Sequence, residues 1–449
     1  MSRYLHVEGV NFDQTLFDTS DISTIRGASR ACEDIVSHFR DQIGEKAVLA
    51  CGASKLIAKT ELLFADLLAG LPEDLKTLAG HLHFARGAGA SLAAAEAEAR
   101  LSQLRSWTAP RPLTGTVPCA LSKTQPAVVD IGKKGLVSRS VADRRDYGRQ
   151  HRKAVAAQTA FDPAPDFETL IRLSGDDVPL SAQNKMAVVH ADGAGFGAAL
   201  VKLQQEKGAE AGLKSFSDRA QEMQAGIIAQ AVTWAAGWSG DVLQFEVLLA
   251  GGDDLMFVLP AWKLFDFLAG FHDWTADEAI EGSAVHFRLG AIIADRSTPI
   301  RQMTGLAFEA VDALRASGLP GSLCSIDVFE SAAPPMDGLS AHRKRLYGAG
   351  YTDAVQSWPL AEAADLAAVL RYLRTTEDKD VIRRSQIYRA LRGLPDLSAA
   401  AAEVAKRLDH YTERTAKASA LRLPGVASDN PALHLAFAAQ LWDYCGEAA

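Results

Sequence analysis

Residues 243–260 read LQFEVLLAGGDDLMFVLP, in which two apolar runs flank the sequence Gly-Gly-Asp-Asp. Strand-forming runs that are joined by a short Gly-containing connection predict two buried strands in a hairpin. The glycines permit the positive φ of a tight turn and let a phosphate approach the backbone. Asp253 and Asp254 repel each other at this turn unless a cation lies between them. A solvated acidic turn is the alternative, and the hairpin alone leaves both interpretations open.

A third carboxylate lies at the end of an upstream strand. Residues 185–200 read KMAVVHADGAGFGAAL, which predicts an apolar strand, Asp192 at its end, and a glycine-rich loop that leads into a helix. The order of elements from residue 185 to residue 329 is βαββαβ, which is the ferredoxin-like arrangement. In that arrangement the first strand lies beside the hairpin, so Asp192 lies near Asp253 and Asp254. Three carboxylates beside the free N–H groups of a helix predict a site for a nucleoside triphosphate and a divalent metal ion.

These motifs resemble the palm domain shared by nucleotide cyclases, GGDEF-type diguanylate cyclases and the large subunit of type III CRISPR effector complexes. The GGDD form is similar to that of the CRISPR polymerase-cyclase. Three further stretches are similar to that family, and with them the likeness spans most of the chain: residues 17–29 (FDTSDISTIRGAS), 50–54 (ACGAS) and 293–299 (IADRSTP).

The predicted fold class is α+β, with two ferredoxin-like domains of the palm, nucleotide-cyclase-like kind, a linker domain and a C-terminal helical bundle. The predicted boundaries are 1–108 for a degenerate first palm-like domain, 109–184 for the linker domain with a degenerate zinc-finger region, 185–335 for the catalytic GGDD palm and 336–449 for the C-terminal helical domain. A chain of 449 residues has room for several domains, each with its own core.

The first palm has the sequence Cys-Gly-Ala-Ser at residues 51–54, where the second has GGDD. This turn lacks carboxylates for metals. The resemblance implies a non-catalytic palm in which Ser54 and the glycine backbone hold a second nucleotide, and a purely structural repeat is the alternative. Arg26, in the sequence RGAS, is a candidate phosphate contact, although a capped helix start explains the same residues.

The linker region combines a degenerate cysteine site with a basic run. Where the family often carries a four-cysteine zinc finger, only Cys119 remains as a ligand, so no zinc is expected. The basic run at residues 133–153 is either an RNA- or phosphate-binding stretch or a solvated helical face. A second Gly-Asp-Asp at residues 175–177 is followed by Pro179 and predicts a turn.

Composition predicts a soluble, cytoplasmic protein. Apolar residues make up 48% of the chain and charged residues 23%, and the net charge of −8 argues against a freestanding nucleic-acid binder. No apolar run is long enough for a membrane span, and the five cysteines form no CxxC pair, which suits a reducing compartment. Four amphipathic helices are predicted after residue 338, at 360–373, 381–391, 398–415 and 431–446. They form either a bundle that docks a partner protein or RNA, as the resemblance implies, or a passive cap on the palm.

The resemblance implies a metal-dependent nucleotidyltransferase that makes cyclic oligoadenylates from ATP in antiviral defence. Its expected partners are other type III CRISPR effector subunits, guide and target RNA and nucleoside triphosphates, with no membrane. Two Mg²⁺ or Mn²⁺ ions are expected at the carboxylates. The candidate catalytic and metal-binding residues are Asp192, Asp253 and Asp254, and the candidate nucleotide-binding residues are Gly193, Gly195, Phe196, Gly197, Gly251, Gly252 and Ser54.

Two departures from the family leave alternatives open. The family usually has a second carboxylate two residues after the first-strand Asp, and this chain has Ala194 there. The chain has no His-Asp doublet near its start, so a compact form without the HD nuclease is expected. The alternatives are a catalytically inactive palm scaffold that binds guide RNA and partner proteins, and a standalone cyclic (di)nucleotide synthase.

Overall fold

The computed structural model describes residues 3–52, 54–105, 117–154, 159–172, 178–251, 254–330, 335, 337–348, 351–375, 387–388, 391–396, 398–400, 402 and 422–445. Helices and strands are mixed along the chain, which confirms the α+β fold class. Among the described helices, none is both long and apolar enough to cross a membrane.

The first 105 residues form a four-stranded antiparallel sheet with helices on both faces. Its elements are β1 (Arg3–Val10), α1 (Ile22–Ile43), β2 (Val48–Gly52), β3 (Lys55–Thr60), α2 (Phe64–Ala69), α3 (Glu73–Ala79), β4 (His83–Gly89) and α4 (Leu92–Arg105). The strand order β2-β3-β1-β4 is the ferredoxin-like order. A four-residue helix, Phe12–Thr15, connects β1 to α1.

The segment that follows contains a small hairpin and one helix: β5 (Val129–Asp130), β6 (Leu136–Val137) and α5 (Arg139–Gln150). Cys119 is buried with Val137, Val141 and Ala142 in a small apolar cluster. The residues expected to form a degenerate zinc finger thus pack as a minor hydrophobic core. The second Gly-Asp-Asp, at residues 175–177, lies outside the described residues.

Several side chains of the basic run make ion pairs within the chain. Arg144 is fully buried and hydrogen-bonded to both oxygens of Asp18, at 3.0 and 2.9 Å. Lys134 and Arg145 both approach Asp21, the N-cap residue of α1. These contacts attach α5 to the first palm, so this part of the run has a structural role.

The second sheet has six strands in the order β8-β9-β7-β10-β11-β12. Its elements are β7 (Lys185–Ala194), α6 (Phe196–Lys207), α7 (Ala209–Ala236), β8 (Glu246–Gly251), β9 (Asp254–Pro260), α8 (Leu264–Thr275), β10 (His286–Asp295), α9 (Ile300–Ala316), β11 (Leu323–Phe329) and, later in the chain, β12 (Trp358–Pro359). The first four strands of that order repeat the ferredoxin-like arrangement, and β11 is added parallel to β10.

Both faces of the second sheet are covered, which explains why β7 reads as a nearly continuous apolar run. On one face Phe257 packs against Phe267 and Phe271 of α8, with ring centroids 5.3 and 6.3 Å apart. On the other face α9 lies against Gly290 of β10, where an added Cβ would lie 2.4 Å from the carbonyl oxygen of Ala307. A glycine at this point therefore lets α9 approach the sheet closely.

The two sheets match residue for residue where β1 corresponds to β7 and β3 to β9. Glu8 lies opposite Lys55 in the first sheet, as Asp192 lies opposite Asp254 in the second. The pairing of His6 with Gly87 in the first sheet corresponds to that of His190 with Gly290 in the second. Likewise, Gly52 pairs with Lys55 in the first sheet as Gly251 pairs with Asp254 in the second. The register of each hairpin also shifts at the same place, between Val48 and Ala50 and between Val247 and Leu249.

The described C-terminal helices are α10 (Leu339–Tyr347), α11 (Ala363–Thr375) and α12 (Pro431–Leu441). Helices were predicted at 360–373 and 431–446, and α11 and α12 lie at these places. Those predicted at 381–391 and 398–415 fall mostly outside the described residues. Trp358 and Phe437 pack edge to face at 5.5 Å, which joins α12 to the edge of the second sheet.

Candidate nucleotide site between two palm domains

The two palms contact each other through α7 and the first hairpin. The Cys51 backbone N–H donates to Ser217 Oγ at 3.2 Å, and Lys59 donates to Glu210 at 3.0 Å. Arg26 of α1 donates to both carboxylate oxygens of Glu246, the first residue of β8, and both side chains are at least 95% buried. Arg26 is therefore a link between the palms and not an exposed phosphate contact.

A cavity of about 400 Å³ lies between the two palms. Its walls come from β1 and the β2–β3 hairpin of the first palm and from α6, α7 and the end of the GGDD hairpin in the second. The predicted site residues among its walls are Ser54, Phe196, Gly251 and Asp254. This volume lies within the range of pockets for small molecules and cofactors.

Other residues predicted for the site are not among the cavity walls. Asp192 lies directly opposite Asp254 on the neighbouring strand, but it is 4% exposed and does not line the cavity. Gly252 and Asp253 lie outside the described residues, so their predicted roles stay predictions.

The glycine-rich loop behaves locally as its sequence indicates. Gly195 has φ of +91° and forms the N-cap of α6, whose first turn receives no side-chain cap. Among the described residues, no atom outside the flanking residues and the helix's own backbone lies within 4 Å of a Cβ added at Gly195 or Gly197. The helix begins at Phe196, which lines the cavity, and the N–H groups in the first turn of a helix have no partner within the helix itself.

His190 supports Asp254. Two residues before Asp192 on the same strand, it faces the same side of the sheet. Its Nε2–H donates to Asp254 Oδ1 at 3.0 Å, and its ring packs against Phe308 of α9 with centroids 4.1 Å apart. An ionised carboxylate only accepts hydrogen bonds, so this contact places the proton on Nε2. Asp254 itself is 42% exposed, and its second oxygen is available to a ligand in the cavity.

Arg315 covers Asp192. Its Nε donates to Asp192 Oδ2 at 3.1 Å and its Nη2 to Oδ1, while Nη1 contacts Asp312 at 2.8 Å. Arg315 and Phe308 are seven residues apart on α9 and so share one helix face. No motif in the sequence pointed to this residue, since it lies 123 positions after Asp192.

Sequence reasoning also missed the polar pair in the first palm. Glu8 occupies the register position of Asp192, so this palm has one carboxylate on the strand beside its turn, although the turn itself has none. Lys55 occupies the position of Asp254, and its ammonium lies 3.9 Å from Glu8. His6 Nε2 lies 3.4 Å from the other Glu8 oxygen. The adjacent His6 imidazole and the Lys55 charge hold the pKa of the Glu8 carboxyl below its usual value, although burial opposes them.

The second sheet and its site define a palm domain of the nucleotidyl-cyclase kind. Residues 185–318 match the family described as "Cas10/Cmr2, second palm domain". The resemblance to the large subunit of type III CRISPR effector complexes, predicted from the GGDD motif, is thereby confirmed. No curated protein matches the chain by sequence.

Solved structures of Csm1 share the fold over 98% of this chain. A Csm1-Csm4 cassette in complex with one ATP superposes with a TM-score of 0.57 at 11% identity over 70% of that chain. A cassette in complex with cA4 gives 0.51 at 12% identity over 70%. Csm1 of T. onnurineus gives 0.52 at 14% identity over 70%. The likeness includes both palms, since it covers almost the whole chain.

Proposed function

We propose that this protein is a nucleotidyltransferase that converts ATP into cyclic oligoadenylates at the cavity between its palms. The observation that carries the proposal is the register of Asp192 and Asp254, which lie opposite each other on neighbouring strands beside a cavity of about 400 Å³. The family match of residues 185–318 and the ATP- and cA4-bound Csm1 structures of the same fold support ATP as substrate.

The donor groups suit a divalent cation. Carboxylate oxygens are preferred ligands of Mg²⁺ and Mn²⁺. Asp254 presents one oxygen to the cavity while His190 holds the other, and Asp253 is adjacent in sequence. When bound, such a cation lowers the pKa of a ribose hydroxyl and offsets charge on the reacting phosphates. In the described residues, no three His, Cys, Asp or Glu side chains converge as ligands.

The chain's own residues position the substrate in this proposal. The uncapped N–H groups at the start of α6 bind phosphate oxygens, because the positive end of a helix favours anions. Gly251 keeps the approach to Asp254 free of a side chain. Ser54 contributes from the first palm, on the opposite side of the cavity, where a second nucleotide binds. Two substrates held in one cavity react faster because they are held close together and in a fixed orientation.

The biological setting follows from the same resemblance. We propose that the protein acts in the cytoplasm, in type III CRISPR-like antiviral defence, with other effector subunits and guide RNA as partners. Two of the Csm1 structures compared above are cassettes with Csm4, which supports a subunit of that kind as a neighbour.

The test is incubation of the purified protein with α-labelled ATP and Mg²⁺ or Mn²⁺, with and without RNA, followed by mass analysis of products. Cyclic oligoadenylates are expected from the wild type and are lost in Asp253→Ala/Asp254→Ala. The matched control is Asp176→Ala/Asp177→Ala, which removes the same two residues from the other Gly-Asp-Asp sequence and is expected to retain product. Absence of product under every condition, with RNA or partner binding intact, would favour the scaffold. Product without RNA would indicate a standalone synthase.

A further inference from the structure

The Arg315 guanidinium contacts both oxygens of Asp192, a residue that the sequence predicts to be a metal ligand. The contact is a fork, with Nε on Oδ2 at 3.1 Å and Nη2 on Oδ1. The Asp192 side chain is 6% exposed, whereas that of Asp254 is 42% exposed. Asp254 lines the cavity and Asp192 does not. The two carboxylates are thus in equivalent positions on neighbouring strands but differ in access.

A cation is needed at this position for electrostatic reasons. Two carboxylates directly opposite each other on adjacent strands repel, and burial of Asp192 increases the cost of its charge. The planar guanidinium matches a carboxylate with two parallel hydrogen bonds and stays charged at any physiological pH. Arg315 therefore supplies the neutralising charge that a metal ion would otherwise supply at Asp192.

The contact is supported by the way α9 packs. Gly290 lets the helix approach the sheet, Phe308 packs on His190 one heptad before Arg315, and Asp312 holds the guanidinium from the same helix. The strand also lacks a replacement ligand. Ala194 follows Asp192 on the same face of β7, so a carboxylate there would have faced the same space.

We propose that Arg315 takes the place of one of two divalent cations, so that the second palm binds a single ion, on the Asp254 side of the site. This differs from the two ions expected from the sequence. The catalytic meaning of the proposal rests on the proposed function, but the number of bound ions does not.

The test counts Mn²⁺ ions bound per chain by electron paramagnetic resonance of the purified protein. One ion is expected for the wild type, and none for Asp254→Asn. Arg315→Gln/Ala194→Asp frees Asp192 and adds a carboxylate on its face, so a second ion is expected. Arg301→Gln removes the same charge from α9 about 21 Å along the helix axis and is expected to keep one ion. Circular dichroism checks that each variant is folded.

Two ions on the wild type would overturn the proposal, as would no ion at all. The number of Mn²⁺ ions on the wild type is measured without any variant. The proposal can therefore be tested even if Arg315→Gln/Ala194→Asp does not fold. One ion without cyclic product would leave the ion count standing and refute the proposed function. Two ions together with cyclic product would refute the single-ion proposal and leave the proposed function standing.

Discussion

Glu8 and Lys55 face each other across the first sheet in the register positions that Asp192 and Asp254 hold in the second. The Lys55 ammonium lies 3.9 Å from a Glu8 carboxylate oxygen, so the charges of this pair balance each other. Asp192 and Asp254 are both acidic, and their charges require a positive group from elsewhere. The second palm obtains it from Arg315 at Asp192 and leaves Asp254 facing the cavity. The same backbone thus carries an acid–lysine pair in one palm and two facing carboxylates in the other, and the difference lies in one residue of β3 or β9.

The most severe change converts the second palm to the charge pattern of the first. In Asp254→Lys, the ammonium lies opposite Asp192 and occupies the cation side of the site. Product formation is expected to fall at least about 100-fold, because a bound cation contributes several kcal/mol of transition-state stabilisation. The measurement is the rate of cyclic product from labelled ATP. Retention of more than a tenth of the wild-type rate by a folded variant would show that Asp254 is not the decisive difference between the palms.

The glycines under the two covering helices provide a second comparison. An added Cβ would lie 2.4 Å from Ala307 oxygen at Gly290 and 2.1 Å from Ala95 oxygen at Gly87. Each Gly→Ala change is expected to destabilise by about 1–3 kcal/mol in urea unfolding, as overpacking does. Only Gly290→Ala is expected also to slow product formation, because α9 carries Arg315 and Phe308.

Gly226→Ala is the control for this pair. It lies in α7 with no atom within 4 Å of the added Cβ, so stability is expected to stay the same or rise by about 0.5–1 kcal/mol. Equal loss of product in Gly87→Ala and Gly290→Ala would contradict a site that is specific to the second palm.

The smallest effect concerns pH and the first palm alone. The folded pKa of Glu8 is lowered by the adjacent His6 imidazole and the Lys55 charge, against the effect of burial. Its contribution to stability is therefore full above the unfolded pKa, about 4.3, and is lost as the pH falls through the lowered folded value. Glu8→Gln is expected to cost less than about 1 kcal/mol at pH 7, because the side chain is 43% exposed.

In urea unfolding, the deficit of Glu8→Gln relative to wild type should stay constant from pH 7 to about pH 5 and shrink as the pH falls below about 4.3. Lys55→Met removes one of the two causes and is expected to reduce the same pH dependence. A deficit that grows on acidification would reverse the assigned sign.

Much of the second palm could be predicted from sequence because its signals are local. The apolar runs around GGDD and before Asp192 specify strands, and the βαββαβ order then brings Asp192 beside Asp254. Arg315 could not be predicted in this way, since its contact depends on how closely α9 approaches Gly290. Glu8 was missed because its strand has no acidic turn opposite it, and only the register of β1 and β3 shows its equivalence to Asp192.

The buried pair of Arg26 and Glu246 has a consequence for how this chain can change. Breaking such a pair by removing one partner typically costs about 3–5 kcal/mol, which is a large share of the stability of a domain. Exchange of the first palm for that of a relative would leave Glu246 without its guanidinium at the strand that leads into GGDD. Arg26 and Glu246 are therefore expected to be replaceable only as a pair, so a change in the first palm constrains the strand that leads into GGDD in the second.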